Sequence, residues 1–393
     1  MPHLRSASWT LLIPAGSATD PSGRSGAAQV LNGMIYRGAG DRDARALSDA
    51  VDDLGVQRGG GVDREYMTLS GALLADDLPA ALALYADIVQ RPQLPVDELD
   101  AERALAVQAV QSLQDRPAQR LFQELNRIYF PGNFGRPTLG EIDELGALTP
   151  GDLQADHQAR FCSDGAILAV AGGVEFEAVK ATVEQLFGNW AGKGPSTPAV
   201  KLRDEPLYHH LPQDTAQTQI GVAYAGFPLG DPEYYMARLA LNVLSGGMGA
   251  RLFTEVREKR GLVYSVGASP RVLKGVGMVL GYAGTQPERA QETVDVLLGE
   301  LRRIKAGVSA DELERARTGL LAALVMAGEA TGSRAGSMAA DIFLLGRPRT
   351  LDEIRDAVEG VTLAALNEHV STHAPTNFTV LTLGPAPVEI HSI

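Results

Sequence analysis

Between Asn242 and Val266 the chain reads NVLSGGMGARLFTEVREKRGLVYSV, which places a guanidinium, Arg257, seven residues ahead of a phenol, Tyr264. Leu252, Phe253 and Val256 are apolar at helical spacing, so residues 249–260 read as a helix that Gly261 stops, and 262–266 alternates in polarity as a strand. Arg257 then stands in the last helical turn, and the turn can bring Tyr264 back against it. A guanidinium and a phenol converging on one point supply several donors, suited to holding a peptide carbonyl or a developing oxyanion. The competing reading is structural, since Arg near a helix C-terminus and Tyr on a half-buried strand are both common.

Other chemistry is sparse. The seven histidines are His3, His157, His209, His210, His369, His373 and His391. His369 and His373 share the spacing of a zinc pair on one helix face, but no glutamate that could act as general base lies between them and Pro375 ends the helix. They read as solvated residues at a helix C-terminus, where positive charge is favoured. His209 and His210 point to opposite faces if extended. Gly59-Gly60-Gly61 lacks the Lys-Ser/Thr of a phosphate loop and reads as a turn between strands. Gly246-Gly247-Met248-Gly249 lacks dinucleotide spacing and reads as a break between two helices, and no G-x-S-x-G elbow occurs. Cys162, the only cysteine, reads as packing. The charged runs 97–103 and 311–317 read as solvated helix faces.

The elements that would position these residues come in two sets. Asp97-Glu98-Leu99 recurs as Asp311-Glu312-Leu313, and Gly135-Arg136-Pro137 as Gly346-Arg347-Pro348. In each copy a strand (66–74; 278–283) and a helix (78–89; 287–304) precede the acidic triplet. Each copy closes with a helix and a strand, 148–161 then 166–171 and 361–373 then 378–383. Strands and helices come in groups instead of strict alternation, which predicts an α+β fold of two homologous domains, each a mostly antiparallel sheet with helices packed on one face. Gly192, Gly194, Pro195 and Pro198 mark an extended connection, giving a first domain over 1–195, a linker over 196–206 and a second domain over 207–393.

The 393 residues suit two domains, and 35 Lys+Arg against 48 Asp+Glu give a net charge of −13, which repels a phosphate backbone and excludes nucleic acid as a partner. No run of about 18 apolar residues and no signal-like N-terminus appear, so no membrane span and a cytoplasmic setting are expected.

On these residues the chain resembles the pitrilysin-like peptidases, which include the mitochondrial processing peptidase and bacterial two-subunit relatives. Residues 246–266 are similar to the signature of that family's second domain, and the resemblance implies that Arg257 and Tyr264 contact the backbone of a bound peptide. Ala15-Gly16-Ser17, Asp20, Gly23, residues 26–36 and Gly38 resemble the segment that carries the inverted zinc motif His-x-x-Glu-His. Residues 92–117, with Glu102-Arg103 and Asp115-Arg116-Pro117, resemble the helix that supplies the third ligand. On that pattern the two ligand histidines fall at Gln29 and Gly33, the general base at Asn32, and the ligand glutamate at Ala109. An amide, a hydrogen and a methyl cannot hold zinc, so the resemblance implies no metal and no catalytic residue in this chain. A further strand ahead of the segment at 9–13 is also implied, where only eight residues stand.

The resemblance further implies half of a clamshell, acting as the substrate-binding subunit of a heterodimeric zinc endopeptidase whose partner, of the same family, holds the zinc. Peptides would be cut in an enclosed chamber. Two alternatives stand beside it: an architectural scaffold or homodimer without peptidase role, and a peptidase active alone through another metal site, for which His369 and His373 are the available ligands.

Overall fold

The computed structural model describes residues 1, 3–196 and 198–390, so His391 lies outside the described residues. In chain order the first helices are α1 Ala27–Met34, α2 Ala44–Asp53, α3 Leu78–Gln90, α4 Leu99–Gln111, α5 Pro117–Tyr129, α6 Ile142–Ala147, α7 Pro150–Arg160 and α8 Phe176–Phe187. Then come α9 Tyr234–Ser245, α10 Ala290–Arg303, α11 Ala310–Glu329, α12 Thr331–Leu345, α13 Leu351–Glu359 and α14 Leu363–His373. None of them is long and apolar enough to cross a membrane.

The chain forms two compact units, one of residues 1–112, 132–199 and 327–348, the other of 113–131, 200–326 and 349–393. The change at 199/200 falls inside the stretch read as linker, which carries no helix or strand among its described residues. Two helices depart from the linear division into 1–195 and 207–393. α5, from the first half, belongs to the second unit, and α12, from the second half, belongs to the first. A boundary drawn along the chain cannot register this, because an amphipathic helix declares that it has an apolar face but not which sheet receives it.

In the first unit β1 Ser6–Ile13, β4 Gln57–Val62, β5 Met67–Leu74 and β6 Ile167–Gly172 form an antiparallel sheet ordered β4-β5-β1-β6, while the short β2 Gly38–Ala39 and β3 Arg42–Asp43 pair separately. Alternation along β1 turns Trp9, Leu11 and Ile13 into the main core with α1, α3 and α7. Trp9 pairs with Gly71 across the ladder and meets Tyr85 edge-on at 5.0 Å. Any side chain at 71 would overlap the indole, which is why a glycine interrupts this strand. The alternate face, Leu12 and Ala169, packs under α12 at Ala339, and Tyr66 meets Phe343 at 5.0 Å. β1 is therefore covered on both sides.

The second unit holds a five-stranded sheet, β7 Leu207–Pro212, β8 Thr218–Gly226, β9 Val263–Leu273, β10 Val276–Thr285 and β11 Thr379–Gly384, ordered β7-β11-β8-β10-β9. All pairs are antiparallel except β7 with β11. Ile220, Val222 and Val380 face a core with Leu297, Leu301 and Leu366. On α5, Leu121, Leu125 and Tyr129 recur every fourth residue and are at most 2% exposed. Each leucine contributes roughly 1.5–3 kcal/mol by burial. The helix lies close because Gly221 on β8 has no side chain, and a Cβ there would sit 3.1 Å from Leu121 and Leu125.

Gly59, Gly60 and Gly61 correct an expectation: they lie within edge strand β4, not in a turn. Without side chains they leave no period-two signal to read, and Gly60 and Gly61 take φ of +125° and +150°, which other residues rarely adopt.

Candidate functional site

Arg257 and Tyr264 are placed by two backbone irregularities. The helix expected over 249–260 is π-helical over Phe253–Glu258, with the Lys259 N–H donating to Thr254 O at 2.9 Å. Leu252 and Val256, both fully buried, hold its inner face. Gly261 follows at φ +58°, and Arg289 donates to the carbonyls of Gly261 (2.7 Å) and Arg260 (2.9 Å), which the helix end would otherwise leave without partners. The second irregularity is a β-bulge. Ser265 pairs with Gly284 and Val263 with Thr285, so Tyr264 is the extra residue on edge strand β9. Its side chain is 80% exposed.

The two residues meet as the spacing suggested. The Arg257 guanidinium carbon lies 4.9 Å from the Tyr264 ring centre and 4.8 Å from that of Phe253. Contacts of this kind are worth about 0.5–1 kcal/mol each when exposed, enough to orient the side chain. The nearby acid is committed elsewhere, since Glu255 takes Lys259 at 2.7 Å, Arg260 at 2.9 Å and Arg303 at 3.6 Å. The hydrogen bond from Lys259, with that from Arg260, holds its carboxyl at about 2 instead of the ordinary 4.5. Among the described residues neither the Arg257 guanidinium nor the Tyr264 hydroxyl has a hydrogen-bond or ion-pair partner. The pair thus offers unused donors side by side at a sheet edge.

The helix entering this segment is anchored by Arg251, which grips Glu312 through two bonds of 2.6 and 2.8 Å. That fork, with the Ser309 N–H, holds the Glu312 carboxyl at about 2. A depressed carboxyl stabilises fully above its unfolded value near 4.5 and ceases to as pH falls toward 2. Calorimetric stability of the protein is therefore expected to drop between pH about 4.5 and 2, and Glu312→Gln to reduce that drop. An acid decline identical in the variant would remove Glu312 as its source.

In the first unit, Gln29, Asn32 and Gly33 lie on α1 and Ala109 on the facing α4. Asp20 anchors the start of α1 by accepting from the Gly26 and Ala28 N–H groups at 2.8 and 3.0 Å. Burial pushes the Asp20 carboxyl upward, against the pull of Arg160. The space between the helices is taken by residues that the sequence did not single out as a pair. Glu102, buried on α4, accepts from Arg37 Nε at 2.6 Å and from a second guanidinium nitrogen, and the Arg37 guanidinium also lies 3.8 Å from Glu98 Oε2. A side chain at Gly33 would overlap the Glu102 carboxylate. Two amides, a hydrogen and a methyl, beside an acid already neutralised by arginine, do not make the three-ligand set that zinc requires.

The run 97–103 is thus not wholly a solvated face, because its Glu102 turns inward to a partner 65 residues away, where no local spacing could reveal it. The equivalents of Arg37 and Glu98 in the second unit are Arg251 and Glu312, at one and the same offset along the chain. A sign reversal tests the geometry. Gly33→Ala should destabilise the protein by about 1–3 kcal/mol through overpacking. In a Glu102→Ala background it should stabilise by up to about 1 kcal/mol, as alanine outranks glycine in a helix. Equal effects in both backgrounds, measured by urea unfolding, would mean that Glu102 does not occupy this space.

His369 and His373 correct another expectation. Only His373 is solvated, whereas His369 is 5% exposed, on the α14 face shared by Leu366 and Val370. Its Nδ1 lies 2.6 Å from Glu233 Oε2, and burial pushes its pKa below the usual value. His210, on β7, bonds Thr382 at 2.9 Å, and Cys162 is a buried free thiol.

Comparison with known proteins gives similarity along most of the chain. The profile described as "Insulinase (Peptidase family M16)" matches residues 2–141, and that described as "Peptidase M16 inactive domain" matches 147–320. An uncharacterized zinc protease of Bacillus subtilis is 27% identical over 370 residues, covering 93% of this chain and 90% of the relative. One of Mycobacterium tuberculosis H37Rv is 25% identical, covering 98% and 90%. In fold, the chain is similar to a peptidase M16 inactive domain from Pseudomonas fluorescens, with TM-score 0.88 at 22% identity over 99% of this chain and 95% of the other. A protease from Helicobacter pylori superposes with TM-score 0.87 at 17% identity over 97% and 95%.

Proposed function

This chain belongs to peptidase family M16, and we propose that within it the protein is the non-catalytic, substrate-binding subunit of a heterodimeric zinc endopeptidase acting in the cytoplasm. One contrast carries the reading. The Arg257–Tyr264 pair is assembled with its donors unused, Tyr264 exposed and Arg257 half-buried, while the positions of the metal motif hold Gln29, Asn32, Gly33 and Ala109 around an Arg37–Glu102 ion pair. The chain itself would bind no zinc there; a partner of the same family, with an intact His-x-x-Glu-His, supplies metal and general base.

In the proposed pair the peptide is enclosed between the two subunits. Tyr264 and Arg257 donate to a carbonyl of the substrate backbone, which fixes its register and polarises it for the partner's zinc-bound water. Backbone recognition of this kind is indifferent to side-chain identity and suits short or unfolded peptides. Support for the irregular geometry having a use comes from its cost: π-helical turns and bulges persist where a side chain must be re-aimed. Size-exclusion chromatography of this chain mixed with an M16 chain of the same genome that retains the zinc motif tests the pairing. A one-to-one complex is expected, and two proteins eluting separately would reject the heterodimer.

A further inference from the structure

A carboxylate and two imidazoles converge in the second unit on elements that the Arg257–Tyr264 pair does not use. Glu233 stands at the N-cap of α9, and its own N–H donates to Asp231 Oδ1 at 2.8 Å, which fixes the turn before the helix. His369 and His373 occupy successive turns of α14, which packs against α9. One ligand-capable atom from each of the three residues lies within 4.8 Å of the other two. The imidazole rings are 5.1 Å apart, and Phe227 lies 5.2 Å from each, forming an apolar wall behind both.

A hydrogen bond between Glu233 and His369 accounts for two of these residues, while His373 makes ring contacts with Phe227 and His369 but, among the described residues, no hydrogen bond. His373 is exposed, yet its ring lies beside His369 and the same carboxylate instead of extending into water. Imidazoles one turn apart on a helix face are the spacing with which a helix chelates a borderline divalent ion. With ligand bonds of about 2.0–2.2 Å, tetrahedral coordination sets neighbouring ligand atoms roughly 3.3 Å apart. The longest separation therefore needs to close by no more than about 1.5 Å, a movement that the exposed His373 can make by rotation about its side-chain bonds.

We propose that Glu233, His369 and His373 bind one divalent ion of the zinc class through a carboxylate oxygen and two imidazole nitrogens, with the remaining position open to solvent beside His373. The ion takes the place of the hydrogen bond between His369 Nδ1 and Glu233, the ring proton of His369 residing on Nε2. Imidazole ligation selects zinc, nickel or copper over magnesium and calcium. Bound there, the ion clasps the start of α9 to the end of α14 and stabilises the folded chain by mass action. This site does not depend on the proposed subunit role.

Metal-stripped full-length protein titrated with zinc chloride alone, followed by calorimetry, tests the assignment. One equivalent should bind saturably to the wild type and raise its unfolding temperature. His373→Ala, at an exposed position that the fold does not need, should weaken binding by more than about 100-fold, beyond the loss expected of an outer-shell partner. Gln29→Ala should leave binding unchanged. Absence of saturable binding by the wild type, or binding of equal affinity by His373→Ala, would overturn the site.

Discussion

Tyr264→Phe is expected to lower the kcat/KM of the assembled peptidase pair by about 10²- to 10³-fold, the usual loss for one preorganised donor aimed at a developing charge. The substitution is narrow. Phenylalanine keeps the ring over which the Arg257 guanidinium lies at 4.9 Å, and with it the contact that orients the arginine, so only the hydroxyl is removed. Because the side chain is 80% exposed on a bulged edge strand, the fold and the assembly of the pair should be unaffected. If the hydroxyl bonds the carbonyl chiefly in the transition state, the loss appears in kcat with KM little changed. Arg257→Ala should lose at least as much, since it removes a cation and leaves the phenol unsupported. Unchanged turnover of Tyr264→Phe would make the pair a relic and favour the architectural reading.

Arg160→Met is expected to destabilise the first unit by about 3–5 kcal/mol, the range for removing one partner of a buried ion pair. Arg160 is 2% exposed at its side chain and lies between Asp20, at 3.0 Å, and Asp156 on its own helix, whose carboxylates are also buried. Methionine fills the volume but strands two negative charges away from water. One of those charges, on Asp20, caps the helix that presents Gln29, Asn32 and Gly33, so the effect reaches the helix carrying these three residues. Arg24→Ala is the control. Its ion pair with Asp152 is 40% exposed on the arginine side and should cost less than about 1 kcal/mol. Both tryptophans, Trp9 and Trp190, belong to the first unit, so tryptophan emission during urea unfolding follows the relevant transition. Equal midpoints for Arg160→Met and Arg24→Ala would contradict the buried-charge argument.

What was legible in the sequence was local or repeated. The duplicated Asp-Glu-Leu and Gly-Arg-Pro triplets marked two copies of one arrangement, and the strands and helices expected at 66–74, 78–89, 148–161 and 361–373 lie close to β5, α3, α7 and α14. The meeting of Arg257 with Tyr264 followed from a helix, a glycine stop and a strand within a few residues. Its fine geometry did not, because a π-turn and a bulge each arise from one inserted residue that a periodicity of 3.6 or 2 averages away. Distant pairings were equally hidden. Glu102 reads as one more acid on a charged helix until α1 is packed against it, and its partner Arg37 belongs to another part of the chain. His369 reads as solvated at a helix end because the apolar face of α14 turns inward only when α9 is present to receive it. The exchange of α5 and α12 between units lies at the same level: each helix's apolar stripe is plain, and its destination is a property of the folded chain.

If this chain binds peptide without cutting it, the direct measurement is cleavage of a quenched fluorescent oligopeptide by the purified protein, alone and mixed with the proposed partner, an M16 chain that retains the zinc motif. Alone, with or without added zinc, the protein should give no turnover; mixing should produce turnover above that of the partner alone, abolished by a chelator. Chelator-sensitive cleavage by the lone chain would contradict the proposed role.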